Sequence, residues 1–272
     1  MGWIEDPTIR KDVTAMNAIH CNNINKHFNK KKVIAVQSID FAVPRGETFG
    51  IIGPNGSGKS TLVRILSTLL IPDTGSATVF THDVVKSPLA VRRMINRVSV
   101  DAAFFKKLSA WENLRYAARL YGVPAKEART KTLAILDSLG FSKKRFDAPL
   151  EELSRGMQQK VAIARSLFTS PILLLLDEPT TGLDPRSKKE VQDFLRGLKR
   201  TTDITVLLTT HDMAEAEALC DRIAIINAGQ FLAVDTADNL KIKFGVDDLE
   251  AVFMKSTGKE WAEQEEEHEN EK

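Results

Sequence analysis

The chain has 272 residues, of which 43% are hydrophobic and 27% are charged, and its formal net charge is +2. This size and composition fit one globular domain with a sizeable core, and the near-neutral balance gives no sign of a broad nucleic-acid surface. The two cysteines, Cys21 and Cys220, lack the spacing of a metal site, so we expect free thiols in a reducing compartment.

The ends of the chain are polar. Residues 1–16 give no strong structural signal, the stretch at 29–33 is basic, and residues 260–272 form an acidic tail that we interpret as solvated. The longest apolar run, 172–176, is too short to cross a bilayer, which takes about 20 residues. The start of the chain does not resemble a signal peptide. We therefore expect a soluble, cytoplasmic protein.

Strands are predicted first along the chain. Alternating polarity over 17–28 and 31–46, followed by 47–53, indicates successive strands, the first of them in an antiparallel layer. Residues 59–70 then place apolar side chains on one helical face. Residues 88–168 are predicted to be mostly helical, which indicates an inserted subdomain.

Apolar runs dominate the later part of the chain. The segments 171–178 and 203–211 are continuous apolar runs that end in polar residues, as in strands covered on both faces of a parallel sheet. Residues 222–234 read as a hairpin. The predicted fold class is α/β, with a mostly parallel core, an antiparallel β layer and a helical insertion.

The stretch GPNGSGKS fits the phosphate-loop pattern G-x-x-x-x-G-K-[ST] and lies between a predicted strand and a predicted helix. Backbone N–H groups of such a loop wrap the β-phosphate of a nucleoside triphosphate, the lysine neutralises phosphate oxygens, and the hydroxyl binds Mg²⁺. The predicted ATP-binding residues here are Gly53, Pro54, Asn55, Gly56, Ser57, Gly58, Lys59, Ser60 and Thr61.

Two carboxylates and a histidine follow the apolar strands. Open parallel sheets bind ligands at the carboxyl ends of their strands, so Asp177 is predicted to reach Mg²⁺ together with Ser60. Glu178 is the predicted base that polarises the attacking water. His211, at the end of the next strand, is predicted to contact the γ-phosphate or to orient Glu178. Without a phosphate loop, simple capping roles would explain these side chains equally well.

The stretch LSRGMQQKVAIAR, residues 153–165, reads as a helix start. Ser154 suits the N-cap, and Gly156 leaves the backbone open to close approach. Such a helix start is a ready anion site. However, the sequence places neither a catalytic acid nor a phosphate-binding lysine beside it.

The order of phosphate loop, LSRGM, ILLLLDEPTTGLDP and LLTTHD resembles the ATP-binding subunit of ABC transporters over residues 18–240. This resemblance implies a RecA-like P-loop NTPase core and ATP with Mg²⁺ as cofactors. It also implies a head-to-tail dimer in which Ser154 and Gly156 contact the γ-phosphate held by the partner. The resemblance leaves residues 1–17 as an N-terminal extension, places the helical subdomain at about 88–168, and leaves 241–272 as a C-terminal extension.

Other positions follow from the same resemblance. Phe28 matches the aromatic residue that stacks on adenine, although a core strand residue is the alternative. Asp184 matches the loop that crosses the dimer interface. The LSRGM variant, and the segment 247–260 with its LEAVFMKSTG stretch, resemble exporters of the ABC-2 type, including drug- and antibiotic-export ATPases.

One residue departs from the family pattern. ABC ATPases have a glutamine before the helical subdomain, whereas Val100 stands at that position here, followed by Asp101. No glutamine occurs between Ala77 and Ala148. We therefore expect hydrolysis to survive but to be slow and weakly stimulated.

The interpretation favoured by the sequence is a transporter motor, bound on the cytoplasmic face of the membrane to a multispanning permease and paired with a second ATP-binding subunit. A homodimer and a heterodimer both remain open, as does the cargo, and no nucleic-acid partner is expected. The alternatives are a soluble ABC-type ATPase, or a regulatory nucleotide-binding module with impaired hydrolysis.

Overall fold

The computed structural model describes residues 17–28, 33–100 and 103–258. The N-terminal extension up to residue 16, most of the basic stretch, Asp101 and the acidic tail lie outside the described residues. The strands are β1 (Asn17–Phe28), β2 (Val33–Pro44), β3 (Thr48–Ile52), β4 (Thr74–Val79), β5 (His82–Asp83), β6 (Ile95–Val98), β7 (Leu173–Asp177), β8 (Thr205–Thr210), β9 (Arg222–Asn227) and β10 (Gln230–Asp235). The α-helices are α1 (Lys59–Leu66), α2 (Pro88–Met94), α3 (Ala110–Leu120), α4 (Ala125–Ser138), α5 (Arg155–Ser166), α6 (Pro185–Thr201), α7 (Met213–Leu219), α8 (Ala237–Phe244) and α9 (Leu249–Thr257).

The strands form two sheets. The smaller has the order β2-β1-β4-β5 and is antiparallel, which confirms the predicted antiparallel layer. The larger has the order β10-β9-β3-β8-β7-β6. Its strands from β9 to β6 are parallel, and β10 forms the predicted hairpin with β9.

The two central apolar strands, β7 and β8, are buried at every position. Leu174 and Leu176 pack into a cluster with the helical subdomain, whereas Leu173 and Leu175 pack into a second cluster on the opposite face. Alternate side chains of a strand point to opposite faces, so a run of leucines contributes apolar side chains to both clusters.

The described part of the segment predicted to be helical contains one strand. Residues 95–98 form β6, which pairs with β7 at the edge of the larger sheet. The Asn96 side-chain nitrogen donates hydrogen bonds to the Ser166 carbonyl and the Thr169 hydroxyl, at 2.5 and 2.9 Å. These bonds join the edge strand to the end of α5, where the helical subdomain meets the sheet.

The C-terminal helices pack against the larger sheet. Leu249, Val252 and Phe253 of α9 are buried in a cluster that also contains Ile52 of β3 and Ile223 of β9. The described part of the C-terminal extension is therefore continuous with the core. Within the described ranges, no helix combines the length and apolar content needed to span a bilayer.

Candidate nucleotide site

The phosphate loop connects β3 to α1, which is the strand–helix context that its pattern requires. Close backbone packing explains two of its glycines. A Cβ at Gly53 would lie 2.3 Å from the Ile226 carbonyl, and one at Gly58, which has φ +109°, would lie 2.3 Å from the Ala35 carbonyl. Any side chain at these positions would therefore displace the loop.

Lys59 is the first residue of α1 and only 4% exposed. Its Nζ donates hydrogen bonds to the Gly53 carbonyl at 2.7 Å and the Pro54 carbonyl at 3.0 Å. The same Nζ lies 3.2 Å from Oε1 of Glu178. Lys59 thus holds the loop closed and carries its charge to the end of β7.

Asp177 ends β7 and is buried. Its Oδ1 accepts hydrogen bonds from the Ser60 hydroxyl at 3.0 Å and the Thr209 hydroxyl at 2.8 Å. Thr209 is a candidate site residue that the sequence analysis missed, although it lies two residues before His211. It stands directly beside Asp177 because β7 and β8 pair in parallel register.

Glu178 has φ +51°, so the chain turns sharply where β7 ends. Its Oε2 accepts a hydrogen bond from the Thr181 hydroxyl at 3.0 Å and lies 3.2 Å from Nδ1 of His211. Burial raises the pKa of Glu178, but the His211 hydrogen bond and the Lys59 charge outweigh it and lower the pKa to about 2. This carboxyl group is therefore ionised at neutral pH.

The structure thus brings five predicted residues together at the carboxyl ends of β3, β7 and β8. The Thr209 hydroxyl links their contacts into one network, because it donates to Asp177 at 2.8 Å and accepts from the Glu178 backbone N–H at 3.2 Å. Their side chains supply a buried cation, a hydroxyl, two carboxylates and an imidazole. The five residues are Lys59, Ser60, Asp177, Glu178 and His211.

The LSRGM stretch forms the predicted helix start. The Ser154 hydroxyl accepts a hydrogen bond from the Met157 backbone at 3.3 Å, so Ser154 is the N-cap of α5. Gly156 is buried, and a Cβ there would lie 2.4 Å from the Ser187 hydroxyl. Asp184 caps α6 by accepting a hydrogen bond from the Ser187 backbone at 3.0 Å. The predicted signature and interface residues are therefore neighbours.

Two predicted positions lie apart from this network. Phe28 ends β1 and is 38% exposed, with the Lys26 ammonium 5.7 Å from the centre of its ring, so it is not a core residue. Val100 follows β6 and is half-buried. Asp101 lies outside the described residues.

Comparison with known proteins decides the family. The pattern of the family described as "ABC transporter" matches residues 36–181, which is more than half of the chain. This chain is an ABC transporter family protein. The resemblance found in the sequence is confirmed, and so is the P-loop NTPase fold with its antiparallel layer and helical insertion.

One relative shows which members of the family this chain is similar to. Daunorubicin resistance ATP-binding protein DrrA3 of Streptomyces coeruleorubidus is 41% identical over 248 residues, which cover 89% of this chain and 75% of that protein. This ABC ATPase is therefore similar to a drug-resistance ATP-binding protein, the kind of relative that the LEAVFMKSTG stretch predicts.

Two solved structures share its architecture. The cbiO1 protein of Clostridium perfringens, part of the transporter complex cbiONQ, has a TM-score of 0.74 and 27% identity over 84% of this chain and 92% of that one. A dimeric ATP-binding cassette in a post-hydrolysis state with ADP and Pi has a TM-score of 0.73 and 26% identity, over 80% of this chain and 98% of that one. The chain is an ATPase of this family, and it binds ATP.

Proposed function

We propose that this ATPase is the motor of an exporter whose membrane-spanning subunit is a separate polypeptide, and that the cargo is a drug or antibiotic. The observation that carries the proposal is the single network that joins Lys59, Asp177, Glu178 and His211. The similarity to a daunorubicin resistance protein supports export as the direction.

In the proposed cycle, ATP binding replaces the protein partners of Lys59 with phosphate oxygens. The phosphate oxygens of ATP attract Lys59 away from Glu178, as backbone N–H groups of the phosphate loop bind the same phosphates. The buried Ser57 hydroxyl has no hydrogen-bond partner among the described residues, and it supports this fit because a phosphate oxygen would satisfy it. Phe28 is exposed and therefore free to stack on adenine.

Loss of the Lys59 contact would make Glu178 a stronger base. The nearby ammonium lowers the pKa of this carboxyl, so its departure allows the pKa to rise. Glu178 would then polarise the water that attacks the γ-phosphate, while His211 holds the carboxylate in place.

The oxygen atoms of Ser60 and Asp177 are suited to Mg²⁺. The Ser60 hydroxyl and the Asp177 carboxylate lie 3.0 Å apart, and both are the hard oxygen ligands that Mg²⁺ prefers. Mg²⁺ bound there would neutralise charge on the phosphates of ATP. Thr209 would hold Asp177 in position through its 2.8 Å hydrogen bond.

The complete site requires a second ATP-binding subunit, whether a copy of this chain or a related one. Ser154 and Gly156 would contact the γ-phosphate of ATP bound to the partner, in a head-to-tail pair. Asp184 lies beside them and would link the two sites. The dimeric post-hydrolysis structure supports such an assembly.

The membrane partner would bind the helical subdomain. Apolar and aromatic side chains on and beside α3 are exposed: Phe105 is 55%, Tyr116 51% and Leu120 69% exposed. Exposed apolar patches of this kind mark interaction surfaces. Binding there would place the ATPase on the cytoplasmic face of the membrane.

The test is transport by the purified assembly. The chain should co-purify with a multispanning protein, and vesicles containing the complex should move daunorubicin only when ATP is present. The matched control is Glu178→Gln, which should assemble but not transport. A multispanning partner that takes solute up instead of exporting it would overturn the proposal.

A further inference from the structure

Glu215 is a buried carboxylate that the proposed cycle does not use. It lies in the first turn of α7, four residues after His211, and is 1% exposed. Its Oε1 accepts a hydrogen bond from the Thr180 hydroxyl at 2.6 Å, and Thr180 is buried as well. Since Thr180 lies two residues after Glu178, this bond joins the segment that follows β7 to the helix that follows β8.

Helix capping does not explain the Glu215 side chain. A glutamate at the third position of a helix often accepts a hydrogen bond from the backbone N–H of the N-cap residue, as Glu112 does at the start of α3. At the start of α7, the backbone N–H of the N-cap residue Asp212 donates instead to the Thr210 hydroxyl at 3.0 Å. The Glu215 carboxylate therefore bonds Thr180, a residue outside its own helix.

Packing does not explain a carboxylate at this position either. Burial raises the pKa of Glu215, because desolvation of the charged form outweighs the hydrogen bond from Thr180. An apolar side chain of similar length would fill the same space without that desolvation cost. What the carboxylate provides, and an apolar side chain would not, is the bond to Thr180.

This bond lies close to the contact between the predicted base and its histidine. Glu178 and Thr180 are separated by Pro179 alone, and the ring of that proline fixes one backbone angle between them. On the other side, His211 directly precedes the N-cap of α7 and so lies within one helical turn of Glu215. The bond therefore closes a ring of contacts around Oε2 of Glu178 and Nδ1 of His211, which lie 3.2 Å apart.

A second contact between the same parts of the chain is more exposed. Lys188 of α6 pairs with Asp212, but their side chains are 31% and 30% exposed. Ion pairs that are accessible to water contribute little to stability. The buried bond between Thr180 and Glu215 is therefore the stronger constraint on the segment after β7.

We propose that Glu215 is a positioning residue for ATP hydrolysis, which holds Glu178 in place through Thr180. Without the bond, the segment after β7 would shift and Glu178 would no longer align the attacking water. Thr180 and Glu215 lie outside the phosphate loop, so ATP affinity should not depend on their bond. This inference rests on the proposed function, because it takes Glu178 as the group that polarises the water.

The first experiment removes the hydrogen bond and measures kcat and KM separately. Thr180→Val keeps the size of the side chain but loses the hydroxyl. In phosphate-release assays with the full-length chain, kcat should fall roughly 10- to 100-fold, as for a misplaced catalytic group, while KM stays close to its original value. Thr180→Ser keeps the hydroxyl and should recover most of the lost kcat. An unchanged kcat in Thr180→Val would overturn the inference, as would a Thr180→Ser variant that is no more active.

The second experiment distinguishes positioning from stability. Glu215→Met removes the carboxylate but has a similar length, and it should lower kcat as much as Thr180→Val does. The double variant replaces both partners by apolar groups, so in urea unfolding it should be more stable than the sum of the two single losses predicts. Its kcat should nevertheless stay as low as in either single variant. A kcat that recovers together with the stability would show a merely structural role and overturn the inference.

A buried threonine elsewhere in the chain is the matched control. Thr132 of α4 is fully buried, and its hydroxyl has no hydrogen-bond partner among the described residues. Thr132→Val should therefore leave kcat unchanged, and a loss as large as that of Thr180→Val would overturn the inference.

Glu178→Gln separates this inference from the proposed function. If Glu178→Gln keeps its activity, the proposed role of Glu178 fails and the role of Glu215 fails with it. If Glu178→Gln is inactive while Thr180→Val is fully active, only the positioning role of Glu215 is rejected.

Discussion

Nζ of Lys59 lies 3.2 Å from Oε1 of Glu178, and both side chains are buried. The residue assigned to phosphate binding is therefore paired with the residue assigned to water activation. Since Lys59 also binds two carbonyl groups of the phosphate loop, one ammonium connects the loop to the end of β7. Occupation of the loop by ATP would thus alter the charge environment of Glu178 directly.

The first prediction concerns Lys59→Ala. This variant should lose ATP affinity by roughly 100-fold or more, because it removes the cation that pairs with the phosphate oxygens. Isothermal titration calorimetry with a non-hydrolysable ATP analogue measures the loss. Lys199→Ala, which removes a lysine paired with Asp221 far along the chain, is the matched control. Unchanged affinity in Lys59→Ala would refute the assignment of the phosphate loop.

The second prediction concerns the pH dependence of stability. The pKa of Glu178 is lowered from 4.5 to about 2 in the folded chain, so its ionised form stabilises the fold above pH 4.5. That stabilisation is lost as the pH falls towards 2. The free-energy cost of Glu178→Gln, from urea unfolding without nucleotide, should therefore shrink from pH 6 to pH 3. A cost that is constant over this range would contradict the low pKa.

The third prediction uses the contact between Gly156 and Ser187. Gly156→Ala should lower the free energy of unfolding by about 1–3 kcal/mol, because the new Cβ would lie 2.4 Å from the Ser187 hydroxyl. Ser187→Gly, which removes the clashing atoms, should cost about 1 kcal/mol by itself. The double variant should be more stable than the sum of the two costs predicts. Simple additivity in thermal unfolding would show that the clash is relieved elsewhere.

The fourth prediction addresses Val100. The Val100 side chain has no polar atom that could contact a metal or water. Hydrolysis by this chain should therefore be slow and weakly stimulated by the membrane partner. Val100→Gln should raise the turnover of ATP, measured as phosphate release, if the defect is local. A glutamine at the nearby Val98 is unsuitable as a control for Val100→Gln, because Val98 is buried in the core. If the unmodified chain hydrolyses ATP at a rate ordinary for the family, and Val100→Gln leaves that rate unchanged, impaired coupling is refuted.

Local patterns predicted much of the nucleotide site. The phosphate-loop pattern and the two apolar runs place Lys59, Asp177 and His211 at strand or helix ends, and parallel pairing brings those ends to one edge of the sheet. The pairing of Lys59 with Glu178 was not predicted. It depends on contacts between segments more than one hundred residues apart and on the left-handed backbone of Glu178.

The edge strand β6 was not predicted, for a different reason. The strand β6 has only four residues and lies at a sheet edge, so its pattern is hard to distinguish from the surrounding helical signal.

The central claim is that each ATP site combines the phosphate loop of one chain with the signature helix of another. Lys59→Ala and Ser154→Arg should each abolish most ATP hydrolysis, the first by losing the phosphate cation and the second by placing bulk and charge at a phosphate contact. In a mixed pair, one of the two sites would retain both an intact loop and an intact signature.

Phosphate release from a mixture of the two variants therefore tests the claim most directly. The account predicts that the mixture hydrolyses ATP faster than either variant alone. The control mixture, Lys59→Ala with Glu178→Gln, should show no recovery, since these two residues pair within one chain. A Lys59→Ala and Ser154→Arg mixture that is no more active than its components would contradict the account.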